Sequence, residues 1–273
     1  MSPSKAKDAK TAKTPKTATK KAPALPKPGK VAKAVTAMIP PVVTKKMVVP
    51  IRGTSILVQH RWSVKQRDEM LTTQMHIPKP KRGAKNPIED FISSMYWLTE
   101  PPEVGPIEPP KDEQGEVVYS SVDELLVLPP HVQEALNKGK FGVPAAAFRK
   151  GMISACRYVD DIEMAYIRGA FFVVGQHADG DIVELQIEEP PFMREDRMTI
   201  GQRKPDWRYR GQFGAHWTAD VPIEYDPSII NPSQLINLLN RAGFSVGLLE
   251  GRPEKSGQWG RYTVMPEKQR KAS

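Results

Sequence analysis

The chain has 273 residues, a formal net charge of +9 and a single cysteine, Cys156. That length is enough for one large domain or two small ones with a real core. One cysteine excludes an intrachain disulfide framework, and no apolar run approaches the ~18 residues of a membrane-spanning helix.

Charge is distributed unevenly. Residues 1–46 hold twelve lysines against one acid, Asp8, a balance of +11, so residues 47–273 carry about −2. This segment has no aromatic residue and no arginine, and the first aromatic of the chain is Trp62. Lysine, alanine, threonine and proline dominate it, so it cannot bury enough apolar surface to offset its ordering entropy. We expect a disordered basic tail over 1–46, either a solvated linker or an arm that holds a polyanion without sequence choice. It lacks the apolar core of a signal peptide and an apolar face for a membrane surface, so no membrane partner is expected.

A single α+β domain is expected over 47–265, followed by a disordered basic C-terminus at 266–273. Residues 48–59 (VVPIRGTSILVQ) read as a first strand. Ser63 opens a helix over 64–74, with Gln66 completing a capping box. A basic, proline-containing connection leads to Asn86, which caps a second helix with Pro87 at its first position. Ile88, Phe91, Ile92 and Met95 share one face of that helix. Residues 99–140, rich in proline and acids, read as a peripheral insertion with a short helix near 131–137.

Residues 145–159 predict a helix whose Phe148, Met152, Cys156 and Val159 face the core, which makes Cys156 a buried small hydrophobe rather than a nucleophile. A strand follows over 165–174, interrupted at Arg168-Gly169. A turn comes at 178–180 and a partner strand at 181–187. In the polar segment 190–214, Trp207-Arg208-Tyr209-Arg210 alternates as a strand showing aromatics on one face and guanidiniums on the other. A strand over 215–225, a helix over 234–242 stopped by Gly243, and a strand over 259–264 complete the chain. Helices between strands in this order fit a ferredoxin-like (RRM- or RAMP-like) βαββαβ core with insertions.

The stretch 238–262 carries glycines at 243, 247, 251, 257 and 260, with Arg252, Lys255 and Arg261 among them. Recurring glycine allows close backbone approach and exposed amide donors for phosphate, and the cations add phosphate contacts. An ordinary irregular hairpin with a solvated Arg252–Lys255 turn is the plainer alternative. The pattern resembles the glycine-rich loop of the repeat-associated RNA-binding (RAMP) superfamily, the ferredoxin-like backbone proteins of CRISPR effector complexes. In that resemblance Gly247, Gly257 and Gly260 take the loop positions, with Trp259 beside the last. The segment GVPAAAFRKGMISACR (142–157) is similar to that superfamily's helix start with basic residues, including Arg149 and Lys150. Together these cover about 40 residues. The chain also resembles a family of tailed-phage and prophage proteins, through its VPIRGT opening, its VPAAAF helix start and its AGFSVG and RPEKSGQWG ending. That resemblance implies phage origin and a location in the host cytoplasm.

No catalytic constellation is legible. The five histidines lack metal-ligand spacing, and no phosphate-binding P-loop or serine elbow is present. Asp160-Asp161 and Glu188-Glu189 are adjacent and diverge; metal-dependent nuclease chemistry assembled from acids such as Glu195 and Asp196 is the enzyme alternative. We therefore expect a non-catalytic protein without cofactor or metal that binds single-stranded RNA or DNA. Its expected contacts are Arg149, Lys150, Trp207, Arg208, Tyr209, Arg210, Gly247, Arg252, Lys255, Gly257, Trp259, Gly260 and Arg261. Assembly into a homo-oligomer or filament fits the same reading. A phage structural, assembly or host-interaction role is the alternative.

Overall fold

The computed structural model describes residues 41–78, 84–118, 121–160, 162–200 and 204–266. Most of the basic tail expected over 1–46 and the C-terminal residues 267–273 lie outside them. Lys45 and Lys46, assigned above to the tail, open the first strand instead.

Period-two burial builds β1 (Lys45–Gly53), which buries Val49 and Ile51 and exposes Val48. The single strand expected over 48–59 is two. The chain breaks at 54–56, where the Trp217 indole donates to the Ser55 carbonyl, and resumes as β2 (Leu57–Gln59) in a different sheet. The local signals that follow act as written in the sequence. Ser63 and Gln66 form the capping box of α1 (Val64–Gln74), and Asn86 caps α2 (Pro87–Ser93) through the Glu89 amide. Ile88, Phe91, Ile92 and Met95 are buried, whereas α1 buries no residue.

Within 99–140, Val104, Ile107 and Leu128 pack against the core, and α3 (Pro130–Lys138) buries Val132 and Leu136. Next come β3 (Phe141–Pro144) and α4 (Ala145–Ala155), whose last turn tightens into a 3-10 turn at Cys156–Tyr158. Phe148, Met152 and Cys156 are buried as the helical spacing predicts. The first half of the strand expected over 165–174 is a helix, α5 (Met164–Arg168), which buries Ile167 and ends at Gly169; only β4 (Phe171–Val173) is extended. The strand after the Ala178–Gly180 turn, β5 (Ile182–Leu185), pairs with β3 rather than with β4.

β6 (Phe192–Ile200) and β7 (Lys204–Phe213) pair along nine positions. β8 (Thr218–Tyr225) starts later than expected because His216 sits in the left-handed region at φ 74°. α6 (Pro232–Ser245) is capped by Asn231 and Gln234 and continues through Gly243, and β9 (Tyr262–Val264) is shorter than expected.

The fold is α+β, and its strands pair antiparallel. The main sheet has the order β4-β8-β1-β9, and the chain runs through it as β1, α4, β4, β8, α6, β9. α4 and α6 pack on each other, α4 also on β4 and α6 on β9. Their shared core includes Ile51, Phe148, Val221, Ile223, Leu235, Leu239 and Tyr262, with Phe148 and Trp217 both edge-on to Tyr262. A second sheet, β2-β7-β6, is covered by α2.

Candidate nucleic-acid interface

Strand alternation sorts β7 as the sequence predicts, and the two faces meet different surroundings. Trp207 is 51% exposed and Tyr209 half-buried. On the other face, Arg210 is buried at 3% exposure. Arg210 stands directly opposite Arg194 of β6, a like-charge pair that would repel. Asp196 relieves it, since Arg194 Nε donates to both its carboxylate oxygens at 2.9 and 3.0 Å and Arg210 Nη2 lies 3.0 Å from it. Arg210 Nη1 also donates to Glu250 at 3.4 Å. Arg210, expected to contact phosphate, is therefore an internal strut: a guanidinium with 4% of its side chain exposed cannot also reach a polyanion.

The glycine loop is likewise turned inward. A Cβ on Gly257 would lie 1.8 Å from the Gly251 carbonyl oxygen, and one on Gly260 2.1 Å from that of Leu248. The chain these glycines let approach is the loop itself. These amides are consumed inside the fold: Gly257 donates to Arg252 and Trp259 to Gly251 within the loop, Gly247 to Ala242 of α6 and Gly260 to Ile56 between β1 and β2. The expected row of amides open to phosphate is thus corrected to a self-closed loop. Arg252 is tied to Glu254 and to the Leu249 carbonyl, and Arg261 Nε donates to Gln258. Lys255 is exposed.

Two of the expected segments do come together. The Arg194 guanidinium lies 4.2 Å over the Trp259 ring, and Arg210 reaches Glu250, so the loop docks on the Arg face of the β6–β7 hairpin. Arg149 and Lys150 are not part of this assembly. Arg149 donates to the carbonyls of Phe171 and Arg168 and stacks on Phe172 at 4.6 Å, beside β4 at the far edge of the main sheet from β9. Lys150 is exposed on the same helix.

A cleft that the sequence reading missed lies along β7. β2 is short and covers only Gly211–Phe213, so the edge of β7 around Trp207 has no strand partner on that side among the described residues. A cavity of about 370 Å3 occupies the space, between β7, the start of α1 and α2. Its cations are Arg61, Lys65, Lys85 and Arg208, its acids Glu69, Asp90 and Asp206, and Trp207 and Tyr209 are its aromatics. Lys85 is held by Asp206 at 2.9 Å and by the Trp207 carbonyl. Among the described residues Lys65 makes no ion pair, and Arg61 faces the Tyr96 ring at 5.8 Å. The sequence signal was the His60-Arg61-Trp62 cluster ahead of the Ser63 cap, with Lys85 ahead of the Asn86 cap.

His60 lies in this lining, and its Nε2 accepts from Arg208 at 3.3 Å. Its proton therefore sits on Nδ1, which is buried without a partner. Burial first, and then the Arg208 guanidinium, hold its pKa below the ordinary histidine value. The unfolded chain then binds the proton more readily, so stability is complete above about pH 6.5 and declines as pH falls below it. We expect His60→Gln to flatten this part of the stability curve, measured as urea midpoints across that range; an unchanged slope would refute the assignment. Asp90, in the same lining, is shifted the other way, its carboxyl pushed up by burial against the pull of Lys85.

Among the described residues no group of histidine, cysteine and acid side chains could hold a metal ion, and no helix is long and apolar enough to cross a membrane. No protein-family model matches the chain, and a search of the curated proteins finds no match.

Proposed function

We propose that this protein is a non-catalytic, phage-encoded single-strand nucleic-acid binder of the host cytoplasm, working on the cleft beside β7. The observation that carries this reading is a half-exposed indole, Trp207, on an unpaired strand edge and flanked by Lys65, Arg61 and Arg208. An aromatic face stacks on any base, and adjacent cations follow the phosphates, which is how single strands are held without sequence choice. A ferredoxin-like core of RAMP or RRM type is part of the proposal. It is supported by the antiparallel order β4-β8-β1-β9 threaded as β-α-β-β-α-β. The lysine-rich segment ahead of β1 would add salt-dependent attraction.

The test is fluorescence titration of the full chain with single-stranded RNA and DNA across a salt series. Trp207→Ala is expected to weaken binding about tenfold, since stacking contributes roughly 1–3 kcal/mol per base. Lys65→Ala is expected to lower the salt slope by about one. Absence of binding at low salt would sink the proposal, and a truncation of 1–40, which leaves β1 whole, that abolished all binding would confine it to the tail. A second reading, an assembly or host-interaction role, is favoured by α1. This helix buries nothing and leaves Val64, Leu71 and Met75 exposed. Mass spectrometry of purified particles separates the two, stoichiometric presence supporting the assembly role.

A further inference from the structure

The cleft beside β7 is not lined as a plain phosphate site. Four cations face three acids, so its net charge is near +1. A groove that only tracked a backbone would carry cations alone. Of the acids, Asp206 is committed to Lys85, but among the described residues Asp90 accepts no hydrogen bond through its carboxylate, and it is half-buried on α2. Its carboxylate is open to the cavity, with Lys85 and Lys65 near enough to act on it through space, and its two oxygens are free to accept from a ligand. The same cavity is lined by the donors Lys65, which makes no ion pair among the described residues, and Arg208. Trp207 and Tyr209 add flat apolar surface to the same lining.

We infer that this cleft takes one unstacked guanine of the bound strand, with Asp90 accepting from its N1–H and N2–H groups and the cationic side meeting its O6/N7 edge. The inference rests on the single-strand reading above and adds a base preference to it. Guanine is the base that offers two adjacent donors to a carboxylate's two oxygens and two adjacent acceptors on its other edge. Cytosine and adenine each set one amino donor beside a ring-nitrogen acceptor, which a carboxylate repels. Uracil sets its one N–H between two carbonyls. Splayed bases are read in this way, by stacking plus hydrogen bonds to the Watson–Crick edge. The lysine tail cannot create such a preference, because it reads phosphate only.

The test compares the full chain's affinity for three strands, in ribo and deoxyribo form: an oligouridylate, the same strand with one central guanosine, and the same strand with inosine there, which lacks the 2-amino group. The guanosine strand is expected to bind about tenfold tighter than oligouridylate, and inosine to lose most of that gain. Asp90→Asn, which keeps the shape but halves the acceptor, is expected to erase the preference. Removing the charge is expected to raise oligouridylate affinity slightly, so the preference is read as the ratio of the guanosine to the oligouridylate strand, and an unchanged urea midpoint reports that the variant is folded. Equal affinity for all three strands, with binding still dependent on Trp207, would overturn the guanine site and leave the single-strand reading standing. A preference that survives Asp90→Asn would overturn its assignment to this cleft. No binding of any strand at low salt would overturn both.

Discussion

Arg210→Met is expected to destabilise the protein by roughly 3 kcal/mol, read as a lower urea midpoint at unchanged slope. The guanidinium is buried between Asp196 and Glu250, and its Nε is already without a partner. Taken as a whole, such a cluster adds little net stability, since desolvation consumes most of the Coulombic gain. Removing one member is different, because it leaves Asp196 charged in a setting where it is 14% exposed, with only Arg194 to neutralise it. Glu250 is 40% exposed and can turn to water, which keeps the loss at the lower end of what breaking a buried pair costs. Asp196→Asn combined with Arg210→Met should therefore cost less than the sum of the two single changes. Strict additivity in that double-mutant cycle would show that the pair is not coupled. The same change should loosen the glycine loop, because Arg210–Glu250 and Arg194–Trp259 are the contacts that dock it on the hairpin.

Gly243→Ala is expected to destabilise by roughly 3 kcal/mol, against the sign that helix propensity alone would give. In an exposed helix interior the exchange gains about 1 kcal/mol. Here Gly243 is the point where α6 lies on β9, and an added Cβ would stand 2.1 Å from the Tyr262 carbonyl oxygen and 2.7 Å from the Tyr262 ring. Neither can give way cheaply. The oxygen belongs to a strand paired with β1, and the ring is wedged between Phe148 and Trp217. β9 must shift, and its three pairs with β1 weaken with it. A thermal melt that rose rather than fell would mean that the helix and strand tolerate separation.

Gly243 also shows how far a sequence reading reaches. A glycine after a leucine stripe is a fair stop signal, but the helix expected over 234–242 starts two residues earlier, at Pro232, and runs on to Ser245. The residue is glycine because of Tyr262, which lies nineteen positions away and across an element boundary. The loop glycines follow the same logic. Their spacing announced a close backbone approach, and only the folded chain reveals that the approaching backbone is the loop's own.

Features that depend on a few neighbouring residues are legible along the chain. The Ser63–Gln66 capping box, the Asn86–Pro87 start, the buried stripe of α4 and the alternation of β7 all follow from side chains within three or four positions of one another. Tertiary structure decided which of those side chains remain available. Arg208 and Arg210 are indistinguishable in a sequence, yet one lines a cleft and the other is sealed in an ion cluster. The difference arises from partners forty residues away at Glu250 and 148 residues away at His60. The cleft itself joins the start of α1, α2 and β7, and no local pattern encodes it, because burial and desolvation are properties of the assembled surface rather than of the segment that carries the charge.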